Sequence, residues 1–193
     1  MTPAGVDRFV AGGAAQVVAF AWGFAEATLF FLLPDVFLTA LAARNLHAAV
    51  RATLSALAGA LLGGTLMYAC GHAAPERARA LLDAVPAVSP ALLASVRAQL
   101  DAHGLLAMAL GPVRGTPYKI YAVEWGARGG SVPAFLLVSV PARWLGFVLT
   151  TVAAAGAMRV LAPWTGRSAR VELTLVSLAW VGVYAVYFAH FGW

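Results

Sequence analysis

Long apolar runs, cut at a few positions by proline, glycine or a charge, dominate the chain from Phe9 to Phe191. A straight transmembrane helix needs about 20 mostly apolar residues. Ala52–Cys70 has that length and no charge. Val132–Met158 is longer, with Pro141 and Arg143 inside. Val171–Phe191 ends in the Trp/Tyr/Phe-rich tail typical of a membrane interface. Three other stretches fall short. Phe9–Ala25 stops at Glu26, and Leu29–Ala43 is cut by Pro34-Asp35. Gly104–Gly126 carries Arg114, Lys119 and Glu124 and is broken at Gly111-Pro112 and Gly115-Thr116-Pro117. Between them, Pro75–Asp101 interleaves Glu76, Arg77, Arg79, Asp83, Arg97 and Asp101 with Leu, Val and Ala. With Pro86 and Pro90 inside, it predicts two short amphipathic helices near the membrane surface.

The broken stretches are too interrupted to cross straight, yet too apolar for water-exposed loops. Non-helical backbone survives at membrane depth only where protein or a wet cavity satisfies its N–H and C=O groups. Two helical hairpins that enter and return on one side, with Pro34 and Gly115–Pro117 at their tips, meet that demand. Two kinked spans are the alternative. Arg44, Arg51, Arg159, Arg167 and Arg170 predict the cytoplasmic side. On that orientation the first hairpin enters from the cytoplasm and the second from the opposite face. This is the pattern of an inverted repeat with its site at the midplane.

Composition agrees with the pattern. Only 11% of the 193 residues are charged and 62% are hydrophobic, against about 25% charged in soluble domains. The chain is therefore expected to form one polytopic membrane domain over 1–193. The net charge of +5 would suggest nucleic acid in a soluble protein, but here it fits basic residues gathered in cytoplasmic loops. Lys119 is the single lysine among thirteen basic residues, and Cys70 is the single cysteine, so no internal disulfide forms. Arg8 followed by an apolar stretch imitates a secretory signal, but Glu26 interrupts the cleavage zone and the segment is read as part of the fold.

Six charges sit inside apolar segments: Glu26, Asp35, Arg114, Lys119, Glu124 and Arg143. Each costs about 2.5–3.5 kcal/mol if ionised and unpaired at the bilayer centre. By sign, Glu26 and Asp35 from the first hairpin match Arg114 and Lys119 from the second, with Arg143 joining from the next helix. Nine residues along one straight helix would put Glu26 and Asp35 on opposite faces, and a bend at Pro34 lets both look inward. Buried pairs that merely fix the fold are the plainer reading, but desolvation makes them poor stabilisers, which favours a functional role. Gly59-x-x-x-Gly63, with Gly64 and Gly71, predicts close helix packing. The four histidines show no ligand spacing, and neither a phosphate loop nor a nucleophile elbow is present. No metal, cofactor or enzymatic activity is expected.

Glu26 with Pro34-Asp35, then Gly63-Gly64…Tyr68…Gly71, Gly111…Pro117-Tyr118-Lys119…Gly126 and Phe135…Arg143 resemble the DedA family, also called VTT or SNARE-associated proteins. The Pro-Tyr-Lys run is most similar to its YqaA-like branch. The resemblance covers about residues 20–160, with 171–191 as a further transmembrane helix. It implies an all-α integral membrane fold with two opposed re-entrant hairpins, transmembrane helices and an amphipathic connecting segment. It also implies acidic residues in the first hairpin and basic residues in the second that activity requires. The implied activity is movement of phospholipids or polyprenyl-phosphate carriers between leaflets, with proton dependence in some members. By position, Glu26 and Asp35 take the acidic roles, and Arg114, Lys119 and Arg143 the phosphate-binding ones, with Glu124 a secondary candidate. Two departures stand out: Pro34-Asp35 lacks the glycine of the common Pro-Gly-Glu, and Arg114 and Glu124 sit where YqaA-like sequences often carry neutral residues.

The expected function is thus a flippase- or scramblase-like lipid transporter in a bacterial inner membrane. A proton- or ion-coupled transporter of a small solute and a non-transporting envelope assembly scaffold are the alternatives. Membrane lipids and protons are the expected partners, nucleic acid is not, and homo-oligomerisation is left open.

Overall fold

In the computed structural model, the residues described are 5, 8–10, 12–86, 88–111, 115–166 and 168–191. Among them every regular element is a helix. In chain order these are α1 (Gly13–Thr28), α2 (Asp35–Arg44), α3 (Leu46–Ala73), α4 (Pro75–Asp83), α5 (Pro90–His103), α6 (Leu106–Leu110), α7 (Tyr118–Ala127), α8 (Val132–Thr165) and α9 (Ala169–Phe191). Three are long and apolar enough to cross a membrane: α3, α8 and Ala169–Ala189 of α9. They make the chain a helical membrane protein. The amphipathic stretch forms two helices as the pattern predicts, each opened by a proline in its first turn, where the missing N–H costs nothing. Helix α8 runs unbroken through Pro141 and ends at Gly166, whose φ of 59° favours glycine.

Contacts between particular residues give each helix its direction. Gln16 meets Ser55, Phe20 meets Gly59 and Phe24 meets Gly63, so α1 runs parallel to α3. Tyr118 meets Gly64, and Val123 meets Gly71, so α7 also runs parallel to α3. Trp144 reaches Thr53 and Phe135 packs on Tyr68, which makes α8 antiparallel to α3. Arg44 pairs with Glu172, Trp180 reaches Thr39, and Tyr184 reaches Leu33, which sets α9 antiparallel to α2. Between α1 and α2 the chain therefore reverses within residues 29–34.

Glycine lets the central helices touch backbone to backbone. A Cβ on Gly59 would lie 2.0 Å from the Phe20 carbonyl oxygen, and one on Gly71 2.2 Å from that of Val123. Gly63 faces the Phe24 carbonyl, and Gly64 takes the Tyr118 ring. All four predicted packing glycines thus sit at close approaches, α1 against one face of α3 and α7 against another. Gly23 and Gly126 make equally tight contacts from the facing helices. Without much hydrophobic driving force between helices in lipid, such contacts supply the van der Waals attraction that holds a bundle together. Outward-facing Leu137, Leu149, Val160, Val181 and Val186 remain exposed, as lipid-facing positions should.

The two ends of the bundle differ in charge. The end where α3 begins carries Arg44, Arg51, Arg159 and Arg170 against Glu172. At the opposite end, α4, α5 and their surroundings mix Arg77, Arg79, Arg97 and Arg128 with Glu76, Asp83, Asp101 and Glu124.

Candidate functional site

The turn between α1 and α2 carries polar backbone that lipid cannot satisfy. Side chains satisfy it instead. Trp22 Nε1 donates to the Leu32 carbonyl at 3.0 Å, and the Leu33 N–H donates to the Tyr184 hydroxyl at 2.7 Å. Lys119 Nζ, at the start of α7, donates to the Phe30 carbonyl at 2.6 Å. Pro34 opens α2, and Asp35 follows in its first turn, where the helix dipole favours a carboxylate. The turn leading into α7 is closed by the Thr116 N–H bonded to the Gly111 carbonyl, with Gly115 at φ 70°.

A cavity of about 310 Å³ opens between these two turns, near the middle of α8 and beside α9. Glu26, Asp35, Lys119 and Arg143 all line it, together with Tyr118 and Thr150. Glu26 is 3% exposed and Lys119 2%. Four of the sequence-predicted charges thus converge from four helices. Arg114 lies outside the described residues.

The pairing differs from the match by sign. Among the described residues Glu26 forms its ion pair with Arg143 on α8, not with Lys119. Glu26, near the end of α1, is reached by the Arg143 guanidinium from the middle of α8. Faces of Tyr118 and Phe147 flank the same guanidinium, 5.0 and 4.8 Å from its carbon, as cation–π partners. Arg143 Nε has no hydrogen-bond partner among the described residues. Asp35 forms no ion pair among the described residues; its carboxylate accepts from the Thr150 hydroxyl. The Lys119 ammonium has three donors and, among the described residues, directs one to the Phe30 carbonyl, so two can serve what enters the cavity. Among the described residues two cations and two carboxylates thus line the cavity, and part of the cationic hydrogen-bonding capacity is unused.

Glu124 is outside this group. It points to the amphipathic segment, where Arg79 Nε and Nη2 donate to it at 2.9 Å each and Arg97 at 3.1 Å. Its hydrogen bond raises the Arg79 guanidinium further above its ordinary range. Arg128 pairs with Asp101 nearby. Glu124 thus ties α4 and α5 down onto α7 and does not face the cavity.

Several lining residues escape a search for charges. Trp180, Tyr184 and Tyr187 line the cavity from one face of α9. Their i, i+4, i+7 spacing was the available signal, masked by the resemblance of that tail to an interfacial aromatic belt. Thr150 carried no signal beyond being polar within an apolar run, and Tyr118 stood out only as part of the Pro117-Tyr118-Lys119 run, with no role attached to it. No family model, curated protein or solved structure matches the chain.

Proposed function

We propose that the protein is a lipid transporter of the DedA/VTT type, moving a phosphate-bearing lipid between leaflets through the central cavity. The observation that carries this reading is the convergence of Glu26, Asp35, Lys119 and Arg143 on one buried space with unused cationic donors. A phosphate offers several acceptor oxygens to those donors, and charge-assisted hydrogen bonds of this kind are roughly twice as strong as neutral ones.

In this reading the turns at 29–34 and 111–117 are the tips of two re-entrant hairpins from opposite faces. Support comes from helix direction: α2 turns back alongside α9 to the end where α3 starts, and α7 climbs parallel to α3 to the other end. Each hairpin is followed by a long helix, α3 and α8, and those two are antiparallel, as an inverted repeat requires. The arginine-rich end of the bundle is then cytoplasmic.

A lipid is preferred to a small solute for one specific reason. An apolar groove lined by Phe31, Leu32, Val36, Val181, Tyr184 and Phe188 adjoins the cavity, and Phe31, Trp180 and Tyr184 belong to both. A charged compartment continuous with an apolar groove suits an amphiphile. Arg143 and Lys119 bind the head group, Glu26 holds Arg143 while the site is empty, and protonation of Glu26 or Asp35 shifts the balance toward an anion.

Proteoliposomes carrying labelled phospholipid or polyprenyl-phosphate test this. Wild type moves at least one of them, and Lys119→Met and Glu26→Gln each slow it by about tenfold or more, the scale of a lost hydrogen bond to a charge. Folded wild-type protein that moves none of them, or wild-type rates from Lys119→Met, would remove the reading.

A further inference from the structure

A second cavity, of about 370 Å³, lies at the arginine-rich end of the bundle and shares no lining residue with the central one. Yet the same three helices wall both. On α2, Asp35 lines the central cavity and Ala42 the second; on α8, Thr150 lines the first and Ala155 the second; on α9, Trp180 and Glu172 divide in the same way. These pairs are seven, five and eight residues apart, or roughly 8–12 Å of helix. One stripe of α9, Glu172, Val176, Trp180, Val183 and Tyr187, runs past both levels at helical spacing.

Thr39, Thr151 and Val176 occupy the step between the two levels, and all three are buried. Thr39 is satisfied: its hydroxyl donates to the Asp35 main-chain carbonyl at 2.7 Å and accepts from Trp180 Nε1 at 2.9 Å. Thr151 is not. It lies one turn from Phe147, which lines the central cavity, and one turn from Ala155, which lines the second. Its residue is 0% exposed, and its hydroxyl finds no hydrogen-bond partner among the described residues. A helical threonine can bond a carbonyl of the preceding turn, as Thr65 does with Leu61. A buried hydroxyl left without that bond calls for a water.

The second cavity can supply that water. About 10–15 Å³ of such space holds one molecule, and Arg44, Arg159 and Glu172 give the walls their charge, with Arg159 exposed. On the central side, the charged and titratable groups sharing the cavity with Asp35 among the described residues are Glu26 from α1, Tyr118 and Lys119 from α7, Arg143 from α8, and Tyr184 and Tyr187 from α9. Of the two acids there, Glu26 is paired with Arg143, and Asp35 meets the Thr150 hydroxyl beside Thr151. We propose that the second cavity is a water-filled proton inlet, and that the Thr151 hydroxyl, with water on either side, relays protons from the arginine-rich face to Asp35. In each passage a hydronium ion at the mouth gives up one proton. Every hydroxyl along the relay breaks one O–H bond as it forms another, and the Asp35 carboxylate ends as the acid. Under the transport reading, on which its purpose rests, the inlet loads the central site with protons from one face.

Infrared spectroscopy of the full chain in nanodiscs tests the route without any lipid movement. The carboxylic acid C=O band that Asp35→Asn removes is followed after a switch from water to heavy water. Exchange is fast in wild type, slower by about tenfold or more in Thr151→Val, and restored in Thr151→Ser. Valine keeps the shape of threonine, so that variant folds, and serine keeps the hydroxyl. Ala162→Leu, which narrows the second cavity, also slows exchange. Wild-type exchange in Thr151→Val or in Ala162→Leu would overturn the inlet. Equal slowing by Thr151→Val and Thr151→Ser would do the same, because packing and not the hydroxyl would then be the cause. An Asp35 band that appears at no pH where the protein stays folded would remove the acceptor and the proposal with it. None of these outcomes bears on whether lipid moves, so the inlet and the transport reading fail separately.

Discussion

Arg143 is the residue on which the central cavity turns. It is nine-tenths buried, paired with Glu26, and clamped between two aromatic faces. Removing one member of a buried pair strands the other charge and typically costs about 3–5 kcal/mol, whereas removing both is far milder. Glu26→Gln should therefore lower the unfolding midpoint in detergent sharply, and Glu26→Gln with Arg143→Met should recover more than half of the loss. A double variant no more stable than the single one would mean that the pair is not the source of the cost. Lys119→Met differs, because among the described residues it removes one hydrogen bond to a carbonyl and no ion pair, so its loss of stability should be the smaller. At this scale the sequence was a good guide to membership and a poor guide to pairing. A charge inside an apolar run announces a partner through its desolvation cost, but not which one. Glu26 could be matched with Lys119 by sign, and only the placement of both Glu26 and Arg143 at the cavity decides for Arg143. Glu124 misled for the same reason: its cost is met by Arg79 and Arg97, which come from an amphipathic segment with no periodicity linking it to α7.

Among elements, α3 is the post to which others are fitted, through a glycine row readable in the sequence. That row predicts opposite outcomes for one kind of substitution. Glycine to alanine in an open helix position should gain about 0.5–1 kcal/mol through helix propensity, and Gly146 and Gly156 have open space around them. Gly59→Ala instead meets the Phe20 carbonyl oxygen at 2.0 Å, where backbone must move, so α1 separates from α3. Size-exclusion profiles and midpoints should show Gly146→Ala at or above wild type and Gly59→Ala aggregated or much less stable. The long helices and the two amphipathic ones were legible because their periodicity and prolines act locally. The tight approaches of Gly23 and Gly126 were not, since an isolated glycine carries no register and only the facing helix reveals its purpose.

At the scale of the whole molecule, Glu124 links the amphipathic connector to the bundle, and Val85, Pro86 and Val88 of that connector help wall the central cavity. Glu124→Gln should raise amide exchange across α4 and α5 while α3 and the centre of α8 stay protected; unchanged exchange in the connector would show that apolar packing alone holds it. The cavity's construction also bears on how the chain is made. Glu26 and Arg143 lie 117 positions apart, and Lys119 reaches its acceptor across 89. At roughly 5–20 residues per second, the acid emerges roughly 6–23 s before the arginine that neutralises it. During vectorial synthesis α1 is thus a helix with an unsatisfied carboxylate, too short to lodge securely by hydropathy alone. It must wait in water, in the insertion machinery, or protonated. Assembly of the core is then a late event in biogenesis, since a nascent chain that stops before Arg143 leaves both Glu26 and Asp35 without the partners they have in the finished fold.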